Sequence, residues 1–347
     1  MTNPELSVLV CSYNNAHQLR HCLRAIKEAD HKSYELIVVD DGSKDDSHEI
    51  ALQYSDKAYK MPVNQGRSFA RNIAARLAKG QILVFIDSDV LILKHSLSLI
   101  HNRFQQRKDI SALTGLLSKE HFNKDFFSQY KNLYMNYIFS KLPDQVSFLY
   151  GSVHAILTES FMPFGDVVKI ADDTALGQTL NAIGKKIGFA KDLEVIHLKK
   201  YNLLSIIKND FIIPYDMGII FVRFKVWKQF GKFNCGVIHS PREQLAALLL
   251  AFTILAQVAV AVRHSVMLLY LPIPVAAWIF LNTHFFDFLY RQRGFAFAAK
   301  SVFFTFFDQL VMLAGACTGI AMGCLLQIGL GHYSASASRS PRQSQSA

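Results

Sequence analysis

A chain of 347 residues, half of them apolar and carrying a net charge of +10, is long enough for one large domain or two parts. Its five cysteines are odd in number, scattered and without a Cys-X-X-Cys pair, which excludes a zinc ribbon or a disulfide framework. The basic charge suits nucleic acid or an anionic membrane surface, and the long charge-free runs beyond Leu245 decide for the membrane.

The first elements alternate. Leu6–Cys11 reads as a strand that runs into the turn Ser12-Tyr13-Asn14-Asn15. His17–Ala29 has helical spacing, with Leu19, Cys22, Leu23 and Ile26 on one face. Tyr34–Val39 is a second strand, broken by Asp40-Asp41-Gly42-Ser43, and a helix follows through Ala51 and Tyr54. A short strand near Ala58–Met61 precedes the turn Asn64-Gln65-Gly66 and a helix over Phe69–Leu77. Ile82–Ile86 is an apolar run typical of a strand buried on both faces, and it ends in Asp87-Ser88-Asp89. Strand and helix alternating at this spacing predict right-handed crossovers and a parallel α/β sheet.

Polar and acidic residues therefore recur at successive strand ends, where open sheets bind ligands. Asp87 and Asp89 offer hard oxygen ligands for Mg2+ or Mn2+ holding a diphosphate. Gly42 and Gly66 let backbone amides approach a ligand, and the helix after Gly66 favours an anion. No Gly-X-Gly-X-X-Gly follows the first strand and no Gly-Lys-Ser/Thr loop occurs, which disfavours a dinucleotide site and a phosphate-loop ATPase.

Four segments, Val10-Cys-Ser-Tyr-Asn14, Val39-Asp-Asp-Gly-Ser43 with Asp45, Asn64-Gln-Gly-Arg-Ser-Phe-Ala-Arg-Asn72 and Asp87-Ser-Asp89, resemble the family 2 glycosyltransferases in order and spacing. The resemblance covers about residues 5–200 and implies a GT-A fold with a Rossmann-like mixed sheet. It further implies a nucleotide-sugar donor, a UDP-sugar before others, a divalent cation and inversion at the anomeric carbon. By position, Tyr13, Asn14, Asp40 and Asp41 would lie around the base and ribose, with Gly66 beside them and Arg71 behind as charge partner. Asp87 and Ser88 would face the nucleotide, and Asp89 would bind the metal. Ala171-Asp172-Asp173-Thr-Ala-Leu-Gly177 resembles the family's Glu-Asp-X-X-Leu-Gly. Asp172 stands for the usual Glu, Ala175 replaces a common acidic residue, and Asp173 becomes the general base. His197, at the end of the strand Glu194–His197, is a candidate second metal ligand.

His95–Gln106 reads as a helix and Ile110–Leu117 as a strand. Phe126, Phe127, Tyr130, Tyr134 and Tyr137 form a stripe at helical spacing, open to three roles: core, acceptor-site wall or lipid-facing surface. From Lys199 basic residues mix with aromatics, as in amphipathic helices at a lipid surface. Leu245–Val262, Val266–Leu281 (kinked at Pro272 and Pro274) and Leu310–Leu330 are two or three candidate spans, and charge placement favours three. Gly315, Gly319 and Gly323 lie on one helix face, where close packing can join two copies. The expected layout is a cytosolic catalytic domain (1–198), interfacial helices (199–240), a membrane region (241–332) and a disordered Ser-rich tail (333–347). With no basic-then-apolar leader at Met1–Glu5, the catalytic domain is expected on the cytosolic face of the inner membrane.

The expected activity is transfer of one or a few sugars to a lipid-linked, polyprenyl-phosphate or glycan acceptor, with no role for nucleic acid. The Gln-X-X-Arg-Trp motif of processive synthases is missing. The alternatives are a non-catalytic nucleotide-sugar-binding scaffold in a membrane complex and a transporter built from the C-terminal spans.

Overall fold

The computed structural model describes residues 4–165, 168, 170–229 and 241–337. Asp166, Cys235 and the tail from residue 338 lie outside the described residues.

Four strands form the parallel half of the sheet: β1 (Leu6–Ser12), β2 (Tyr34–Asp40), β3 (Lys57–Lys60) and β4 (Ile82–Asp87). β1 pairs with β2 and β4, and β2 pairs with β3, all parallel. The connecting helices α1 (Ala16–Lys27), α2 (Ser47–Tyr54) and α3 (Arg67–Leu77) cover this half. β1 and β4 are buried on both faces, which explains their unbroken apolar runs.

The second half turns the sheet mixed. β8 (Val153–Leu157) runs antiparallel to both β4 and β6 (Ala112–Leu117), and β9 (Ile187–His197) runs parallel to β6. Two short strands, β5 (Val90–Ile92) and β7 (Gln145–Val146), pair antiparallel with β9. Among the described residues the strand order is β3-β2-β1-β4-β8-β6-β9-β5. α4 (Ser96–Gln106), α5 (Phe126–Ser140) and α6 (Asp172–Ala182) complete this part.

The basic segment contains α7 (Leu203–Arg223), one continuous helix opened by a reciprocal Asn202–Ser205 capping box. Three apolar helices follow: α8 (Pro241–Ala261), α9 (Pro272–Arg293) and α10 (Phe295–Ala337). Two helical stretches among the described residues, 265–293 and 295–327, are long and apolar enough to cross a membrane, with mean hydropathies of 1.7 and 1.8. In α8 the apolar stretch is the shorter Leu249–Ala261. Pro272 opens α9, where its missing N–H costs nothing, so it starts the helix instead of kinking it. α10 reaches Ala337 and takes in the first residues of the expected tail.

The aromatic stripe of α5 is covered by α9 and α10. Tyr130 packs edge-on to Phe304 with ring centroids 4.7 Å apart, and Tyr137 meets Phe285 at 5.0 Å. Its hydroxyls are answered there too: Tyr130 Oη is 3.0 Å from Thr305 Oγ1. One apolar core thus runs from the sheet into the C-terminal helices.

The glycine face of α10 is spent within the chain. A Cβ on Gly315 would lie 2.2 Å from the Phe211 carbonyl oxygen, and one on Gly319 would lie 2.0 Å from that of Tyr215. Gly323 meets Val222, so the contacts advance in step and α7 and α10 run parallel. The expectation of a homo-oligomer through Gly315, Gly319 and Gly323 is therefore corrected: small residues let two backbones approach, and the second backbone is α7. Gly319→Val is expected to force the pair apart at a cost of about 1–3 kcal/mol. Its thermal midpoint in detergent should fall, and an unchanged midpoint would show that the seam does not hold the fold together.

Candidate active site

The ends of β1, β2 and β4 converge as their parallel pairing requires, with Ser12 opposite Asp40 and Cys11 opposite Asp87. The turn after β1 is tied to the turn after β2. Asn14, with a positive φ of 47°, donates its N–H to Ser43 Oγ and accepts from the Lys44 N–H. Asn15 donates to Ser88 Oγ at 2.9 Å, which links this turn to the Asp87-Ser88-Asp89 segment. Tyr13 stands exposed at the rim.

Asp40 and Asp41 are both buried. Asp41 accepts from the N–H groups of Gln65 (2.8 Å) and Gly66 (2.9 Å) and from the Asn64 side chain (3.0 Å). Both its oxygens therefore hold the loop that opens α3. Asp40 accepts from the Ser43 N–H, which shapes the turn. Gly42 is required there, because its φ is +75° and a Cβ would lie 2.6 Å from the backbone of Val63.

Deeper in, one cation joins two carboxylates. Arg71, on the buried face of α3, donates to Asp87 Oδ1 at 2.7 Å and to Asp172 Oδ2 at 3.0 Å. Its guanidinium also lies over the Phe164 ring at 5.3 Å. Asp172 takes further bonds from Arg67 and Ser68. Burial opposes charge on Asp172, but Arg71 and Arg67 outweigh it and hold its pKa at about 2. Burial likewise disfavours charge on Arg71, yet Asp172 and Asp87 raise its pKa, so it stays a cation. Asp87 is pushed up by burial and by Asp89, against the pull of Arg71.

Asp173 faces the same space without a cation of its own. Its Oδ1 accepts from the Thr174 N–H at 2.7 Å. Burial first, then the charge of Asp172, raises its pKa to about 6, with Arg67 and Arg71 opposing. Gly151 separates it from Asp87: a Cβ there would lie 2.8 Å from Asp173 Oδ2 and 3.4 Å from Asp87 Oδ2. The glycine keeps open the gap between these carboxylates.

Asp89 and His197 approach across the β5–β9 pair, with Asp89 Oδ2 3.8 Å from His197 Nε2. Two ligands about 2.1 Å from one ion lie about 3–4 Å apart, so this carboxylate–imidazole pair fits a single divalent cation.

Arg71, Asp87, Ser88, Asp89, Asp173 and His197 line one cavity of about 320 Å³. Its outer wall is α7, through Asn209, Ile213 and Met217 at four-residue intervals. A smaller cavity of about 80 Å³ shares Met135, Tyr150, His197, Asn209 and Ile213 with it and runs on toward Lys131 and Tyr201. α7 also holds the segment that carries Asp173. Buried Asp216 accepts from the N–H groups of Ile170 and Ala171, the latter at 3.1 Å, just ahead of α6. Ala171, the N-cap of α6, has no side chain that can cap, so Asp216 supplies the anion from a neighbouring helix. Gly151 falls in the glycine-containing loop and Arg67 in the Asn64–Asn72 segment that the sequence marks, whereas Asp216 was not singled out. Asp216 lies with Asp210 in a mostly apolar helical run, where an acid among apolar residues was the available signal.

A mixed sheet with a carboxylate-lined cavity at its strand ends, over a parallel βαβ half, is the GT-A type of nucleotide-diphospho-sugar transferase fold. Residues 7–163 match the model of the family described as Glycosyl transferase family 2, so this part of the chain is similar to that family. Glycosyltransferase GlyA of Streptococcus pneumoniae serotype 4 is 26% identical over 224 residues, 58% of this chain and 32% of the relative. UDP-Glc:alpha-D-GlcNAc-diphosphoundecaprenol beta-1,3-glucosyltransferase WfgD of Escherichia coli is 30% identical over 97 residues, 27% of this chain and 38% of the relative. The chain thus spans about a third of the length of these curated relatives. Among solved structures, the mannosyltransferase PcManGT of Pyrobaculum calidifontis, in complex with GDP-Man and Mn2+, superposes with a TM-score of 0.56. That likeness covers 92% of this chain and 88% of PcManGT at 17% identity, and it shows the fold.

Proposed function

We propose that this chain is a membrane-associated inverting glycosyltransferase that moves a sugar from a nucleoside-diphosphate donor, a UDP-sugar first, to a lipid-linked acceptor at the cytosolic face. The observation that carries the reading is one cavity that gathers Asp87, Asp89, Asp173 and His197 and is walled by α7. α7 is itself packed along the apolar helix α10. An acceptor attached to lipid would reach Asp173 along that wall. The diphosphoundecaprenol named for WfgD is an acceptor of this chemical class.

Transfer with inversion is a single displacement. The acceptor oxygen attacks the anomeric carbon, Asp173 takes its proton, and the diphosphate leaves from the opposite face. Tyr13 and the Asn14 turn offer a platform for the base. Asp41 acts through the Asn64–Gly66 loop, whose backbone it shapes, and Asp40 through the turn at Ser43. Arg71 holds Asp87 toward the donor and Asp172 beside the base. Asp89 and His197 would hold Mn2+ or Mg2+, which when bound supplies countercharge to the leaving diphosphate.

Nucleotide release from UDP- and GDP-sugars by the full chain in proteoliposomes tests the reading. We expect UDP release that needs a divalent cation and rises when a polyprenyl-linked acceptor is added. Equal stimulation by a soluble glycan would remove the lipid acceptor, and no release from any donor would remove the activity. Because Asp173 must be ionised to take a proton, the rate should fall about tenfold per unit as pH drops below about 6. Asp172→Asn removes a charge that raises the Asp173 pKa, so its acidic limb should move to lower pH. A limb that stays in place would detach Asp172 from the base.

A further inference from the structure

A second cluster of ligand-type side chains lies at the other end of the sheet. Glu5, His31 and His101 bring one ligand atom each to within 4.8 Å of one another, and among the described residues this is the one group of three or more such side chains that does so. Glu5 directly precedes β1, His31 lies in the α1–β2 connection, and His101 is on α4. β1 is seven residues long, so the cluster stands about 20 Å from the donor cavity at the strand's far end.

The geometry is close to that of a bound ion. Glu5 Oε2 is 3.1 Å from His31 Nε2 and 3.6 Å from His101 Nε2. Ligands about 2.0–2.2 Å from a tetrahedral ion are separated by about 3.4 Å, between those two distances. The imidazoles are stacked, with centroids 5.0 Å apart and planes 30° from parallel, so a small rotation of either ring closes the third edge. His31 Nε2 is buried and makes no hydrogen bond among the described residues, despite the nearby carboxylate. A buried ring nitrogen with no hydrogen bond of good geometry is costly, and a cation between it and the Glu5 carboxylate would satisfy both groups. The backbone beneath is already fixed. Glu5 accepts from the N–H groups of Gln81 and Ile82, and its own N–H donates to the Ser33 carbonyl. The site therefore needs little ordering on binding.

We propose that Glu5, His31 and His101 form a binding site for a first-row transition-metal ion, Zn2+ foremost, that clips the start of β1 to the α1–β2 connection and α4. Two imidazoles with one carboxylate suit Zn2+ better than Mg2+, which prefers oxygen alone. Three protein ligands leave a fourth position to water. The site is independent of the glycosyltransferase reading, and its role is to hold the sheet's N-terminal edge.

The test uses Zn2+ alone on the full chain in detergent, with Asp89→Asn and His197→Ala present so that the donor cavity takes no ion. Equilibrium dialysis with metal analysis should find one Zn2+ per chain, and Zn2+ should raise the thermal midpoint. Adding His101→Ala or the gentler Glu5→Gln should weaken uptake by about tenfold or more and abolish the midpoint rise. Should His101→Ala fail to fold, Glu5→Gln decides alone. Uptake unchanged by Glu5→Gln, or no zinc above buffer in the parent, would overturn the proposal as an adventitious ion only. Neither result touches sugar transfer.

Discussion

Asp173→Asn is expected to lower the rate of sugar transfer by about 10²–10⁴ while nucleotide binding stays within about twofold of wild type. Asn has the same shape and can still accept from the Thr174 N–H, so α6 keeps its first turn. It cannot take a proton. The carboxylate it replaces is held near pKa 6 by burial, so the neutral amide imposes no new desolvation cost and the thermal midpoint should not fall. Single-turnover nucleotide release beside nucleotide titration separates the two effects. Equal rates in the variant and wild type would remove Asp173 as the base.

Arg71→Met should be the most destabilising single change in the α/β sheet domain, at about 3–5 kcal/mol. Arg71 is 4% exposed and is the cation between Asp87 and Asp172. Removing it leaves Asp87 without its ion-pair partner in a buried setting, and Asp172 then depends on Arg67 and Ser68 alone. Arg71→Lys should fall between, because an ammonium cannot reach both carboxylates from one planar fork. Urea titration followed by circular dichroism measures both. Equal midpoints for Lys and Arg would show that the forked geometry is dispensable.

Much of the α/β half was legible because its signals are local. Apolar runs closed by polar turn residues marked β1, β2 and β4, and helical spacing at Leu19, Cys22, Leu23 and Ile26 marked the buried face of α1. Hydrophobic periodicity tells which face is covered and says nothing of what covers it. The α5 aromatics and the α10 glycines were visible as faces, but their partners, α9, α10 and α7, are set by tertiary packing. The same limit hid Asp216, whose role comes from bonds to backbone N–H groups 45 and 46 residues away. Asp40 and Asp41 looked like ligand-facing acids. In the fold both oxygens of Asp41 and Oδ1 of Asp40 shape turns, since a carboxylate beside free backbone N–H groups is held by them before any ligand arrives.

In the proposed function, Asp89 and its neighbours hold a metal-bound nucleotide at the rim of this sheet. Calorimetric titration of UDP into the full chain, with and without Mn2+, tests it most directly. We expect binding that requires Mn2+ and weakens at least about tenfold in Asp89→Asn. Binding of equal strength in Asp89→Asn, or binding indifferent to the cation, would contradict it.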